Sequence, residues 1–401
     1  MAAGGADNAT AGVRPRLVVF SDDWGRHPSS SQHLLGHLLP SYQVDWVNTI
    51  GTRRPSLSMR DLARAAEKLR EWISGGRPRP AADERNATDT SLAPDIHAPV
   101  HWPGFASRTE RALNRRLFLR ALHDVLYRAP RPLAVITTVP IVADLAERTA
   151  DLNWVYYCVD DLSEWPGLDK QTLVTMERDL VAHMRGVIAV SGHLAGRMRT
   201  LGHSPAMLTH GVDLDFWRQV TRRRPRRPEE KPVLLFWGLA DGRLDSAICL
   251  KLAEVATLRM VGPRSDVDPA LLAHPGIEWV GQVGLSELPA EAARADVLVM
   301  PYGDLPVTRA MQPLKLKEYL ATGLPVVAAE LPANRDWAAA MDLTSDPARF
   351  ADLCLERAGA PLPAGQARAR EALEAESWAA KATQFEALLQ GFSSEGEHGP
   401  L

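Results

Sequence analysis

The strongest constraint on the fold is an alternation of short apolar runs with amphipathic segments, repeated on both sides of a charged, proline-containing break at 221–231. Short apolar runs are typical of buried parallel strands, and helical periodicity between them is typical of βαβ units. The sequence therefore predicts an α/β protein with two doubly wound, Rossmann-like domains that face each other across a cleft. The predicted strands are 16–21, 43–48, 133–137, 154–157, 187–191, 233–237, 258–261, 277–280, 297–300 and 325–329.

Helical periodicity and breaker residues divide the chain further. The segment 75–104 is rich in Pro, Asp and Ser without periodicity, so we expect a mobile excursion there. Helices are predicted at 59–73, 108–127, 139–149, 170–184, 191–201, 246–256, 314–321, 347–358 and 365–389. The predicted organisation is a disordered N-terminus at 1–14, a first domain at 15–218, a linker at 219–231, a second domain at 232–375, a helix at 376–392 that packs back on the first domain, and a disordered tail at 393–401.

Composition excludes several classes of protein. A chain of 401 residues is too long for one ordinary core, and a net charge of −3 gives no general attraction to nucleic acid. Cys158, Cys249 and Cys354 have neither metal-binding nor disulfide spacing, as expected in a reducing compartment. The N-terminus lacks the apolar region of a signal peptide, and no run of 18 apolar residues occurs. We therefore expect a cytoplasmic protein.

The segment 311–328, MQPLKLKEYLATGLPVVA, is the strongest local signal for a binding site. It predicts a helix that ends at Gly323 and follows a strand and loop, so that its first turn faces the cleft. Lys315 lies in that turn as a cation for phosphate oxygens, and Glu318 is placed to accept hydrogen bonds from two hydroxyl groups, as a ribose requires. The alternative is an ordinary amphipathic helix with a solvated Lys–Glu pair, and the spacing alone leaves both open.

This segment resembles the nucleotide-sugar signature of glycosyltransferase family 4 and related two-Rossmann-domain (GT-B) transferases. The residues that match the signature are Pro313, Lys315, Glu318, Tyr319, Ala321, Gly323, Pro325, Val326 and Val327. Five further stretches fit the same family: Ser191 before a helix, 210–213 with His210 where Asn is usual, 261–263, 277–281 and 296–302. The resemblance implies a nucleoside diphosphate sugar as donor, with UDP favoured, and no separate cofactor. It also implies that Glu318 holds the ribose, while Met311, Gln312, Pro313, Leu314 and Lys315 cradle the diphosphate.

One position departs from the family pattern. Many retaining members carry a second Glu eight positions before the conserved one, with seven residues between them; the corresponding position is Ala310 here. A carboxylate that would contact the donor sugar is therefore missing. The pattern is closer to the subgroup of teichuronic-acid and xanthan glucuronosyltransferases, and we expect inverting transfer.

The first βα turn of the second domain is a second candidate for diphosphate binding. Gly238 lets the backbone approach a ligand, and Arg243 adds positive charge. A tight strand-to-helix turn without a ligand explains the glycines equally well, and both interpretations stay open.

An inverting transfer needs a general base, which we expect from the first domain, where the acceptor binds. Asp160 and Asp161 follow a predicted strand, and Asp23 follows another; all three are candidates, with the 160/161 pair ranked first. Closely spaced carboxylates raise one pKa, as a base requires. Helix capping is the alternative role for each. Trp24, Trp165 and His210 are candidates for contact with the acceptor or the cleft.

No metal site is expected, because the histidines lack ligand spacing and Asp213-Leu214-Asp215 falls at a turn. The helix dipole with Lys315 and Arg243 would replace a cation.

The helix at 108–128 contains six arginines: Arg108, Arg111, Arg115, Arg116, Arg120 and Arg128. They form either a solvated basic face or a patch that contacts anionic lipid at the inner face of the plasma membrane, near a polyprenyl-linked acceptor.

The sequence thus favours a glycosyltransferase that builds cell-surface polysaccharide on a glycan or lipid-linked acceptor. A nucleotide-sugar epimerase of the same fold and a degenerate, non-catalytic binding module are the alternatives. A dinucleotide dehydrogenase is disfavoured, because no G-x-G-x-x-G follows the first strand of either domain.

Overall fold

The computed structural model describes residues 14–25, 29–49, 92–165, 168–220 and 230–394. The first part of this chain contains β1 (Arg16–Ser21), α1 (Ser30–Leu38), β2 (Gln43–Asn48), β3 (Asp95–His97), α2 (Arg108–Tyr127), β4 (Pro132–Thr137), α3 (Ala143–Arg148), β5 (Trp154–Cys158), α4 (Lys170–Val181), β6 (Gly186–Ala189), α5 (Gly192–Thr200), β7 (Ala206–Met207) and α6 (Leu214–Trp217). The second part contains β8 (Val233–Trp237), α7 (Ser246–Val255), β9 (Thr257–Val261), α8 (Pro269–Ala273), β10 (Ile277–Gly281), α9 (Leu288–Ala292), β11 (Val297–Met300), α10 (Pro306–Ala310), α11 (Leu314–Ala321), β12 (Val326–Ala328), α12 (Pro332–Arg335), β13 (Asp342–Leu343), α13 (Pro347–Arg357), α14 (Ala364–Ala369) and α15 (Trp378–Ser394). Short 3-10 turns lie at Pro140–Val142, Leu162–Glu164, Leu285–Glu287, Ala338–Ala340 and Arg370–Glu376.

The described strands form two parallel sheets. The first has the order β3-β2-β1-β4-β5-β6-β7, and the second has the order β10-β9-β8-β11-β12-β13. In both sheets the order reverses direction beside the first strand of the domain, which is the doubly wound arrangement. The predicted fold class is confirmed.

Each sheet is the centre of its own hydrophobic core. The central strands are buried on both faces, as the continuous apolar runs of Arg16–Ser21 and Val297–Met300 predict. Trp46 and Trp154 are among the largest fully buried side chains of the first core, and Phe236 and Tyr319 are among those of the second.

Three predicted segments differ from the structure. The expected excursion at 75–104 is wrong at its end, because Asp95–His97 pairs with β2 as an edge strand. β3 has only three residues, and its one apolar side chain, Ile96, is exposed. The sequence therefore contains no apolar run that would indicate a strand there. The loop before α11 contains the helix Pro306–Ala310, and the single helix expected at 365–389 is interrupted by the 3-10 turn Arg370–Glu376. The helix predicted at 59–73 and most of the linker at 219–231 lie outside the described residues.

The chain crosses between the domains twice. Leu208 belongs to the first core and Val212 to the second, so the first crossing lies at 209–212, before the predicted linker at 219–231. The second crossing lies at 376–378, after which α15 packs on α1 and β4 of the first domain. Phe385 of α15 contacts Tyr157 with ring centroids 5.4 Å apart. In the described residues, no helix is both long and apolar enough to cross a membrane.

Candidate functional site

The cleft-facing edge of the second sheet is built from glycine turns at the carboxyl ends of β8 and β9. Gly238 and Gly262 have φ angles of 127° and 137°, which side-chain-bearing residues rarely adopt. A Cβ atom on Gly262 would collide with the backbone of Gly238. The glycines therefore let two adjacent strand ends come together, and they leave backbone rather than side chains at this edge.

Lys315 reaches this edge from the first turn of α11. Its Nζ donates a hydrogen bond of 2.7 Å to Oη of Tyr302 and lies 4.3 Å from the ring centroid of Phe236. A Cβ atom on Gly238 would collide with Nζ of Lys315. The ammonium thus lies directly against the β8 turn, where a bound diphosphate would meet the cation beside the first turn of α11.

Glu318 lies one turn further along α11 and is partly exposed. Its Oε2 accepts a hydrogen bond of 3.3 Å from Nε1 of Trp237. Trp237 is itself fixed because its backbone N–H donates to Oη of Tyr319 at 3.0 Å. The carboxylate is therefore oriented by a fixed indole.

Arg243 joins the two sides of the cleft. Its Nε donates to both carboxylate oxygens of Asp241 at 2.9 and 3.0 Å, which holds the guanidinium in place. The guanidinium lies 5.4 Å from the ring centroid of Trp165, which belongs to the first domain, and 5.7 Å from that of Tyr302. Met311 also contacts it, with 3.6 Å between Nη1 and Sδ. Predicted residues from both domains thus meet around one cation.

The two candidate bases at the end of β5, Asp160 and Asp161, have different surroundings. Asp161 is buried and accepts hydrogen bonds from Oγ of Ser163 at 2.6 Å and from Arg197. It caps the turn Leu162–Glu164, so its lone pairs are occupied. Desolvation between the domains raises the pKa of Asp160 to about 7, although the nearby Arg243 charge opposes the shift. Asp160 therefore has the protonation behaviour of a base near neutral pH.

The end of β1 presents Asp23 and Trp24 beside a carboxylate that the sequence did not single out. Asp22 accepts hydrogen bonds from Ser21, Ser29 and Gln32 at 2.9, 3.1 and 3.0 Å. Desolvation raises the pKa of Asp22, and these hydrogen bonds oppose the rise. Asp23 and Trp24 are partly exposed at the same strand end, and the Trp24 ring packs edge-on against Trp46 at 4.7 Å.

His210 and Gln312 lie at the first chain crossing. The side-chain oxygen of Gln312 accepts a 2.6 Å hydrogen bond from the backbone N–H of His210. His210 is only 6% exposed, and burial lowers its pKa to about 3, so it is neutral. These two predicted site residues therefore hold the domains together and present little surface to a ligand. Pro313 precedes α11 as its N-cap residue, and Leu314 packs against the first core.

Two residues of this edge, Tyr302 and Trp237, were missed as site residues. Trp237 ends β8, and Tyr302 lies two residues after β11, at the edge where ligands bind in doubly wound sheets. That position is the signal that could have found them. Within the described ranges, no group of three or more His, Cys, Asp or Glu side chains could hold a metal ion. The three cysteines are buried thiols, and burial raises the pKa of each.

Comparison with known proteins agrees with this geometry. Residues 244–356 match the family model described as "Glycosyl transferases group 1". A Bacillus subtilis protein named as a teichuronic acid biosynthesis glycosyltransferase is 40% identical over 135 residues, 31% of this chain and 34% of that protein. The alignment thus spans about a third of the curated relative's length.

Solved structures match over almost the whole chain. The Anabaena protein HepE in complex with UDP has a TM-score of 0.60 at 13% identity, with 94% of this chain and 100% of that chain covered. Sucrose-phosphate synthase from Thermosynechococcus elongatus has a TM-score of 0.63 at 15% identity, with 95% and 100% covered. The GT-B fold and the expected resemblance to glycosyl transferases of group 1 are confirmed.

Proposed function

We propose that this protein is a glycosyltransferase that moves a sugar from a nucleoside diphosphate donor, with UDP favoured, to a glycan or lipid-linked acceptor in cell-surface polysaccharide biosynthesis. The observation that carries the proposal is the meeting of Lys315, Arg243 and Asp160 at one cleft. Cations from the second domain face a carboxylate of the first domain whose pKa is about 7. This arrangement suits a reaction in which a diphosphate leaves and a hydroxyl group loses a proton.

In the proposed donor complex, Lys315 and Arg243 neutralise the diphosphate beside the Gly238 turn, and Glu318 accepts hydrogen bonds from the ribose. UDP is favoured because the complexes of HepE with UDP and of the E. coli trehalose-6-phosphate protein with UDP-2-fluoro glucose share the fold. The family-model match, which covers 244–356, includes Lys315 and Glu318.

The proposed reaction is a single displacement without a metal ion. Asp160 takes the proton of an acceptor hydroxyl while the hydroxyl oxygen forms a bond to the anomeric carbon of the donor sugar. The bond from that carbon to the diphosphate breaks on the opposite face, and the leaving diphosphate keeps the electron pair. Attack from the opposite face inverts the configuration. Ala310 supplies no carboxylate that could act from the donor side.

The test is nucleotide binding followed by donor turnover. Thermal-shift measurements with UDP, GDP, dTDP and ADP should show stabilisation by at least one, with UDP strongest. Lys315→Met and Glu318→Ala should each lower the affinity for that nucleotide by about 10- to 100-fold, because each removes a charged contact. Lys251→Met is the control, since Lys251 makes an exposed ion pair with Glu254 away from the cleft. Stabilisation by none of the four nucleotides would overturn the proposal.

Turnover separates this proposal from its alternatives. Hydrolysis of the donor without acceptor, present in the wild type and lost in Glu318→Ala, supports a transferase. Release of an epimerised sugar would instead identify an epimerase. Nucleotide binding without any turnover of donor and acceptor mixtures would identify a degenerate binding module.

We also propose that α2 contacts an anionic membrane near the acceptor. Arg111 and Arg128 form ion pairs with Asp144 and Asp45, whereas Arg108, Arg115, Arg116 and Arg120 make none within the described residues. Leu113 on the same helix is 44% exposed. The arginines could bind anionic lipid headgroups, and the exposed leucine could enter the boundary between the headgroups and the acyl chains. Vesicles with anionic lipid should bind the protein, neutral vesicles should not, and Arg115→Gln with Arg116→Gln should abolish the difference. Equal binding to both vesicle types would contradict this contact.

A further inference from the structure

Lys317 lies two residues from Lys315 on α11 but on the buried side of the helix. Its side chain is 4% exposed, and no cleft residue contacts its ammonium group among the described residues. Nζ instead donates to Oγ1 of Thr209 at 3.1 Å, to the backbone oxygen of His210, and to the carboxylate of Glu376. The three partners belong to the two segments where the chain crosses between the domains.

The two crossings are also bound directly to each other. The backbone N–H of Val212 donates to the oxygen of Glu376 at 2.9 Å, and the N–H of Trp378 donates to the oxygen of Val212 at 3.2 Å. Oγ1 of Thr209 donates to Oε2 of Glu376 at 2.9 Å. They pack so closely that a Cβ atom on Gly211 would lie 2.6 Å from the Trp378 ring. The crossings therefore form one narrow junction, and Lys317 attaches α11 to both crossing segments.

A buried ammonium is costly unless it is paired, and apolar side chains would fill a purely structural position at less cost. Burial lowers the pKa of Lys317 to about 8, against the attraction of Glu376. Glu376 does not need Lys317 for its own charge, because Lys381 also donates to it at 2.8 Å. The specific consequence of Lys317 is thus the attachment of α11 to the junction.

We infer that Lys317 is a positioning residue that couples α11, the helix proposed to bind the donor, to the angle between the domains. α11 carries Lys315 and Glu318 on one side. On its other side, Lys317 donates hydrogen bonds to both chain crossings. A shift of α11 when a donor binds is then transmitted to the junction, and the junction in turn sets where Asp160 stands relative to the donor. The catalytic part of this inference rests on the proposed function, whereas the effect on the domain angle does not.

The test compares Lys317→Met with Lys381→Met in the full chain. Lys381 binds the same carboxylate from a similarly buried position, but within the described residues its ammonium group donates no hydrogen bond to α11 or to residues 209–210. Dyes at Asp124→Cys and Leu272→Cys, two exposed positions in different domains, report the interdomain distance by single-molecule energy transfer. Without nucleotide, Lys317→Met should broaden the distance distribution, while Lys381→Met should keep the wild-type distribution. UDP should narrow the distribution in the wild type and in Lys381→Met only.

Kinetics give a second readout that a merely structural role would not produce. In Lys317→Met, kcat should fall by about ten-fold, with the donor KM changed less than about three-fold, because the donor contacts remain while the base is displaced. If Lys317→Met does not fold, Glu376→Gln takes its place; it removes the charge but keeps an accepting oxygen, and it should broaden the distribution in the same way.

Two outcomes overturn the inference. One is a wild-type distance distribution in Lys317→Met, and the other is an equal change in Lys381→Met. Failure of UDP to bind the wild type would count against the proposed function, while the nucleotide-free distances would still decide whether Lys317 sets the domain angle.

Discussion

The two sheets turn edges of opposite chemistry towards the cleft. The edge of the first sheet carries carboxylates and hydroxyls that mostly satisfy one another: Asp22 accepts from Ser21, Ser29 and Gln32, and Asp161 accepts from Ser163 and Arg197. The edge of the second sheet carries glycine turns and cations, with Asp241 holding Arg243 in place.

The difference shows how each edge can serve a different step. On the acidic edge, the Asp160 carboxylate accepts no hydrogen bond within the described part of the chain, and desolvation raises its pKa to about 7. On the cationic edge, Lys315 and Arg243 place positive charge beside the glycine turns, where an anion would bind. The two edges are nevertheless coupled, because the nearby Arg243 charge lowers the pKa of Asp160.

The largest effect is expected when the Asp160 carboxylate is removed. Asp160→Asn should lower kcat by about 10²- to 10⁴-fold, because a general base contributes about that much, while nucleotide affinity stays unchanged. Initial rates and calorimetric titration with the nucleotide measure the two quantities.

Asp161→Asn is the matched control for the acidic edge. It weakens the pairing with Arg197, which Glu177 also holds, so thermal stability should fall while kcat changes less than about five-fold. If Asp161→Asn rather than Asp160→Asn abolished turnover, the assignment of the base would be reversed.

A smaller effect is expected when the open turn of the cationic edge is closed. Gly238→Ala strains a backbone with φ of 127° and drives Cβ into Lys315, so nucleotide affinity should fall by about ten-fold and unfolding free energy by about 1–3 kcal/mol. Gly323→Ala isolates the backbone cost, since its φ is 76° and no atom lies within 4 Å of a Cβ there. Denaturant titration and nucleotide titration of both variants would test this, and equal affinity losses would contradict a special role for Gly238.

The two edges also differ in how far the sequence predicts them. On the cationic edge, the sequence predicts that Lys315 and Glu318 lie a turn apart on one helix. It does not single out Tyr302 and Trp237, whose contacts with that helix join residues far apart in the chain. The acidic edge was predicted as a set of strand ends, and the sequence ranked Asp160 and Asp161 together. Their difference depends on Arg197, which is 36 residues away from Asp161 in the chain, and no local pattern encodes such a contact.

The junction between the domains was the least predictable part. The charged break at 221–231 suggested a linker there, yet the chain already crosses at 209–212, and Val212, Leu214 and Trp217 pack in the second core. A short apolar stretch such as 212–217 can join either core, and its choice depends on pairing with 376–378, far along the chain. Lys317 was inconspicuous for the same reason, because its partners come from both crossings.

The smallest and most specific effect is expected in the pH profile, where the two edges meet. Asp160 acts when deprotonated, so kcat/KM should rise with pH and reach half of its limit near the Asp160 pKa of about 7. The Arg243 charge lowers that pKa, so Arg243→Gln should move the rise to higher pH, by less than about one unit across a solvated cleft, besides lowering the rate at every pH. Arg264→Gln, whose guanidinium lies over Trp279 on the same domain, should leave the midpoint unchanged. A midpoint that moves to lower pH in Arg243→Gln, or one that stays fixed, would show that the cationic edge does not set the basicity of Asp160.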